Sequence, residues 1–411
     1  MEKSIPEINV GVVGHIDHGK TTLLSKLTGK FTDTHSEELK RGITIKLGYA
    51  EITLYKYGEK ISNKQEIEGK KGTPFRYVSF IDAPGHEMLM ATMLSGAAII
   101  DAAILVIAAN EGIKPQTREH LMALQAKNIK NLIVVQNKID LTSKEQSLKN
   151  YKEIKELLQG TIMEGAPIIP VSAQQDINIE EIFEELAKIE IPERNSNAKP
   201  IFFVARSFDI NRPGSEIKNL NGSVVGGILK EGKLKVGDEI EIKPGISIKK
   251  SHGETEYKTL TSKVISLFKG KDSIKEVGPG ASISIETSLD PSVAKADSLR
   301  GCVISLKGEL PEISYKLKMK VNLLGEVYGL KDKKPVEQLK TKELLMLSIN
   351  TSITVGTVQK ISVPAGVRGQ EIEVTLNIPS VILEKDKVGI ARNIEGHWRL
   401  IGWGEVVGGR E

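Results

Sequence analysis

The apolar run Asn9-Val10-Gly11-Val12-Val13-Gly14 ends on a glycine, and the chain continues His15-Ile16-Asp17-His18-Gly19-Lys20-Thr21. A continuous apolar run suits a strand buried on both faces, as in a parallel sheet. The residues from Gly14 to Thr21 have the spacing of a phosphate-binding loop: Gly, four residues, then Gly-Lys-Ser/Thr. The glycines let backbone N–H groups turn inward onto phosphate oxygens, and a helix opening at Lys20 adds the positive end of its dipole. Lys20 brings a full charge, and the Thr21 hydroxyl can ligate Mg²⁺. Asp17, His18, Gly19, Lys20, Thr21 and Thr22 are the expected phosphate-side residues.

Such a unit demands more strands and helices around it. Strands are expected at Val78–Asp82, Ala103–Ala108, Asn131–Gln136 and Pro167–Ser172. Helices are expected at Gln116–Lys127, Lys144–Leu158 and Ile179–Ile189, with Ser143 and Gln146 spaced as a capping box. Alternating strands and helices imply an α/β domain, a mostly parallel sheet with helices on both faces. The polar stretch Pro192–Pro200 reads as a linker. Beyond it lie short, Gly- and Pro-punctuated strand patterns and no long helix, which implies two all-β barrel domains. We place the domains at residues 1–194, 195–313 and 314–411.

A phosphate loop does not say which base is bound. Asn137-Lys138-Ile139-Asp140 follows a strand, where a base-reading loop belongs. The Asp140 carboxylate can accept from guanine N1–H and N2–H, donors that adenine lacks. The Lys138 stem can lie across the base, and Asn137 can tie this loop to the phosphate loop. Ser172-Ala173-Gln174 follows the next strand, and its backbone N–H groups can meet guanine O6. Asp82-Ala83-Pro84-Gly85 ends another strand: Asp82 can hold a water on Mg²⁺, and the Gly85 N–H can reach the γ-phosphate. Thr44, in Arg41-Gly42-Ile43-Thr44, is placed to give Mg²⁺ a second hydroxyl. His86 is the candidate catalytic residue, orienting the attacking water.

Composition removes several classes. Of 411 residues, 39% are hydrophobic and 27% charged, so packed cores are expected and wholesale disorder is not. A net charge of +4 fits a solvated surface or a polyanion-binding face alike. The one cysteine, Cys302, cannot form an internal disulfide and sits in a strand-like apolar phrase. The longest apolar run, Ala97–Ala109, contains Asp101 and is too short to span a bilayer. Nothing at the N-terminus reads as a signal peptide, so a cytoplasmic location is expected, with no membrane partner.

The phrases GHIDHGKTT, RGITI, DAPGH, PQTREH and NKID, in this order, resemble translational GTPases such as elongation factor Tu. HSEELKRGITIKLGYA, FIDAPGHEMLMATMLSGAA, SLDPSVAKAD, KELLMLSINTSITVGTV and WRLIGWGEV resemble more closely the gamma subunit of archaeal and eukaryotic translation initiation factor 2. The resemblance implies a GTPase that binds GTP and GDP and carries methionylated initiator tRNA to the small ribosomal subunit. It implies a heterotrimer with alpha and beta subunits. It also implies a second metal at Asp17 and the Gly42 carbonyl, and an apolar gate of Ile16 and Ile43 around His86. An elongation-type carrier, including the selenocysteine-specific kind, is the alternative. Many members of this family carry a Cys-rich zinc knuckle between the switch loops. Here Lys56–Arg76 has neither Cys nor His, so thiolate zinc ligation there is impossible and no zinc is expected. With six Lys/Arg against three Glu, the stretch suits a metal-free hairpin or loop, solvated or facing RNA or a partner.

Overall fold

A computed structural model describes residues 7–29, 48–82, 90–211, 214, 216, 218, 220–250, 255–270, 272–330, 332, 334–362, 370–384 and 386–407. The chain divides into two compact units. One is Met1–Pro192 with Leu324–Val336 and Asn393–Ile401, and the other is Glu193–Leu323 with Glu337–Arg392 and Gly402–Glu411.

The first unit is built on a seven-stranded sheet. Its strands are β1 (Glu7–Gly14), β2 (Gly48–Tyr57), β3 (Lys60–Ser62), β4 (Thr73–Asp82), β5 (Ala102–Ala108), β6 (Asn131–Asn137) and β7 (Ile168–Pro170), in the order β3-β2-β4-β1-β5-β6-β7. β4, β1, β5, β6 and β7 run parallel, while β2 is antiparallel to β4. Every residue of β1 and β5 is buried, as strands covered on both faces must be. The helices are α1 (Lys20–Thr28), α2 (Met90–Gly96), α3 (Pro115–Ala126), α4 (Lys144–Leu158) and α5 (Ile179–Lys188). Leu24 and Leu27 of α1 and Ile182 and Phe183 of α5 join Val10, Val12, Phe80 and Ile104 of the sheet in one core. α4 starts where expected: Ser143 Oγ accepts from Gln146 N at 3.2 Å, and Gln146 Oε1 accepts from Ser143 N at 3.1 Å.

Three elements differ from expectation. β4 begins earlier than Val78 because its first half, Thr73–Tyr77, pairs with β2 towards the exposed end of the sheet. β2 lies outside the expected strands. It buries only Ala50, Ile52 and Leu54 in alternation, the pattern of a strand with one covered face. β7 is shorter than Pro167–Ser172, since Ser172 instead forms an isolated bridge with Ile177. The segment Lys56–Arg76 folds as a hairpin of β2 and β3 and a second small hairpin pairing Glu66–Ile67 with Lys70–Lys71.

The second unit opens with β8 (Ile201–Phe208), β9 (Val224–Glu231), β10 (Glu239–Lys249), β11 (Thr255–Lys269), β12 (Ser282–Thr287) and β13 (Val303–Leu306). They pair in the order β10-β13-β8-β9-β12-β11, and β11 returns to β10, closing a barrel. Cys302 lies in its core beside β13, where burial pushes the thiol up to about 12; it behaves as a small apolar side chain. The chain then forms a second closed barrel: β14 (Ile313–Leu323), β15 (Leu344–Ile349), β16 (Ser352–Ser362), β17 (Gln370–Val381), β18 (Lys387–Ile394) and β19 (His397–Val406), ordered β14-β17-β16-β15-β18-β19. Closure leaves neither barrel with a long open edge. Among the described residues, no helix is long and apolar enough to cross a membrane.

Candidate functional site

β1 sits inside the sheet; the chain leaves it towards β4 on one side, and leaves the neighbouring β5 towards β6 on the other. Where connections part in this way, the C-terminal strand ends open a crevice, the usual ligand position in open α/β sheets. The loops after β1, β5 and β6 and the stretch after β7 meet there.

Gly14 ends β1 with φ +139°, and a Cβ on it would lie 2.3 Å from the Val106 carbonyl oxygen of β5. Only glycine fits. Ile16 is half-buried, and Asp17 is exposed with a left-handed backbone (φ 63°). The fully buried His18 ring donates from Nδ1 to the Val106 carbonyl at 3.2 Å. Gly19, left-handed at φ 87°, precedes α1 and leads directly into Lys20. The Lys20 Nζ donates to the carbonyls of Gly14 (3.0 Å) and His15 (2.8 Å), which holds the cation inside the loop. On the first turn of α1, Thr22 is half-buried, and the Thr21 hydroxyl donates to Asp82 Oδ2 at 3.3 Å. Asp82, at the end of β4, is fully buried. These two oxygens stand 61 positions apart along the chain, and the sheet brings them together.

Asn137 is the link between loops. Its Nδ2 donates to His18 O at 2.9 Å, and its Oδ1 accepts from Ala173 N at 3.1 Å, both bonds buried. Lys138 comes next in a left-handed conformation, Ile139 opens a short 3₁₀ turn, and Asp140 stands exposed on it. In the stretch Ser172–Gln174, two backbone amides have partners within the protein. The Ser172 N–H donates to Ile177 O at 3.3 Å and the Ala173 N–H goes to Asn137, so these two amides hold the loop; Gln174 is exposed. The residues expected in the switches, Gly42, Ile43, Thr44, Gly85 and His86, lie outside the described residues.

Two residues near this crevice carried no expectation. Glu111, after β5, lies 3.9 Å from His18 Nε2, 3.6 Å from Lys114 Nζ and 3.5 Å from Lys138 Nζ. Burial pushes its carboxyl up, but the charges of His18, Lys138 and Lys114 outweigh that and hold it below the usual range. His120, on α3, is buried and accepts the Gly14 N–H at Nδ1, 3.0 Å away. Burial, reinforced by the charges of Lys20, His15 and His18, pushes His120 down to about 3; burial likewise takes His18 down to about 4. The phrase PQTREH was the available signal for His120, but a buried histidine accepting a backbone proton leaves no pattern of its own.

The shifts give a pH dependence with a definite sign. Both histidines stay neutral in the fold while the unfolded chain takes up protons below about 6.5. Stability is therefore full above that pH and falls on acidification, by up to about 1.4 kcal/mol per pH unit for each histidine, until about 4 for His18 and about 3 for His120. The urea midpoint of the nucleotide-free protein is expected to drop between pH 7 and pH 5. A flat profile would contradict the neutral assignment.

Residues 6–192 match the family described as elongation factor Tu GTP binding domain, and residues 315–406 match that described as initiation factor eIF2 gamma, C terminal. With the fold above, this makes the chain a translational GTPase. A translation initiation factor 2 subunit gamma from Methanothermobacter thermautotrophicus is 49% identical over 98% of this chain and 100% of its own length. The subunit of that name from Methanococcus maripaludis strain C7 is 47% identical over 98% of both chains. The chain belongs to the translation initiation factor 2 subunit gamma family, and its role is that of a translation initiation GTPase. A crystal structure of the bacterial selenocysteine-specific elongation factor EF-Sec is also similar, with a TM-score of 0.75 and 27% identity over 98% of this chain; the match spans only 58% of that longer chain.

Proposed function

We propose that this chain, in its GTP form, carries methionylated initiator tRNA to the small ribosomal subunit and lets it go after GTP hydrolysis. We take its working form to be a cytoplasmic heterotrimer with the alpha and beta subunits of the same factor. The observation that carries this reading is near-full-length identity of 47–49% to gamma subunits, extending through the C-terminal barrel. The G domain is 1–194, and the barrels are 195–313 and 314–411; the first strands of the barrels, at Ile201 and Ile313, support these limits to within a few residues.

In the G domain, Lys20 and the inward amides of the loop from Gly14 take the phosphates. Asn137 holds the loops in register, Lys138 covers the base, and Asp140 reads guanine. Glu111 steadies Lys138 from the other side. The adjacent Thr21 hydroxyl and buried Asp82 carboxylate form a hard oxygen pair of the kind that suits Mg²⁺, directly or through water, with Thr44 as a further hydroxyl. When bound, Mg²⁺ neutralises charge on the β- and γ-phosphates. Asp17 and the Gly42 carbonyl are the proposed second metal position. His86 orients the attacking water, and Ile16 and Ile43 gate its approach.

Protection of the methionyl ester on initiator tRNA from spontaneous hydrolysis tests the reading. We expect protection with a non-hydrolysable GTP analogue, little with GDP, and none for elongator aminoacyl-tRNA. Protection of elongator tRNA instead would move the chain to the elongation class that its likeness to EF-Sec represents.

A further inference from the structure

The phosphate loop begins at Gly14, whose N–H is directed at α3. There it meets His120 Nδ1 at 3.0 Å, in a contact buried on both sides. The two residues are 106 positions apart. Position 14 admits only glycine, because an added Cβ would lie 2.3 Å from the Val106 carbonyl oxygen. On the same turn of α3, Glu119 is fully buried. Pro115 at the first position of α3 fixes the start of the helix.

We propose that His120 is a positioning residue of the nucleotide site: it accepts the first amide of the phosphate loop and so fixes the loop in its phosphate-receiving shape before nucleotide arrives. It does not touch the phosphates. A buried N–H robbed of its acceptor must be resatisfied by moving, and the loop is the part that can move. This rests on reading Gly14–Thr21 as the phosphate loop.

The test separates the acceptor from the volume of the ring. His120→Leu keeps most of the bulk and removes the acceptor. His120→Asn loses bulk but places Oδ1 where Nδ1 was. With a fluorescent GDP analogue on the full-length chain, His120→Leu is expected to release nucleotide roughly tenfold faster than wild type, and His120→Asn within about twofold of it. A packing role predicts the reverse order, and that result, or wild-type release from His120→Leu, overturns the proposal. A second readout needs no variant. Nitrogen NMR of the wild-type chain at neutral pH should show His120 as the neutral Nε2–H tautomer with Nδ1 accepting; a proton on Nδ1 overturns the proposal even if His120→Leu does not fold. Failure of the wild-type chain to bind the GDP analogue at all would strike the phosphate-loop reading itself, and so is distinguishable from failure of the inference.

Discussion

Asp140→Asn is expected to turn the site from guanine to xanthine nucleotides. Asp140 stands exposed on the short turn after β6, held there by the left-handed Lys138 that bends the chain out of the strand. In the proposed reading its carboxylate accepts from guanine N1–H and N2–H. An asparagine at that place still accepts from N1–H through Oδ1, but its Nδ2–H₂ faces the guanine amino group, donor against donor. Xanthine carries a carbonyl there, which that amide can satisfy. Hydrogen bonds to a charged group contribute about 1.5–3 kcal/mol each, so GTP affinity should fall by about 10²–10⁴. Xanthosine triphosphate affinity should rise by a similar order. Competition of the two triphosphates for a fluorescent analogue measures both. GTP affinity unchanged in the variant would sink the assignment of Asp140 to the base.

Gly19→Ala should abolish tight nucleotide binding while leaving the fold standing. Gly19 has φ 87°, a conformation that costs a non-glycine residue about 1–3 kcal/mol. Space is the larger problem. A Cβ at this position would lie 2.4 Å from Asn137 Nδ2. Asn137 cannot yield without giving up its bonds to His18 O and Ala173 N, and each buried group left unsatisfied costs about 1–3 kcal/mol. Together these predict a loss of GDP affinity of about 10²–10⁴, read by equilibrium titration. The added methyl presses on Asn137 at the end of β6 and not on the apolar core, so cooperative urea unfolding should persist. Affinity within a few-fold of wild type would mean that Asn137 is not the link between the loops.

Much of the site was legible in the chain because its parts are local. The loop from Gly14 to Thr21, the turn from Asn137 to Asp140 and the strand end at Asp82 each come after an apolar run, and each brings the groups proposed for its chemistry on consecutive residues. The capping box at Ser143 and Gln146 is local in the same way. β2 was less legible, since a strand with one covered face shows only alternation, which a sheet edge and a loop can share. The shortening of β7 depended on Ser172 bridging to Ile177 rather than extending the ladder.

Local patterns along the chain specify the strand–loop–helix unit, the nucleotide class, the alternation that makes an α/β domain, and the change of period that makes two barrels. They can do so because backbone geometry, glycine freedom and hydrophobic period act over a few residues. The tertiary structure alone decided which distant groups meet. It put the Thr21 hydroxyl against Asp82, spread Asn137 between His18 and Ala173, gathered Lys114, Lys138 and His18 around Glu111, and set His120 beneath Gly14. These contacts arise from strand order and from helices packed on the sheet, and strand order is fixed by burial summed over the whole domain, which no short stretch of the chain encodes.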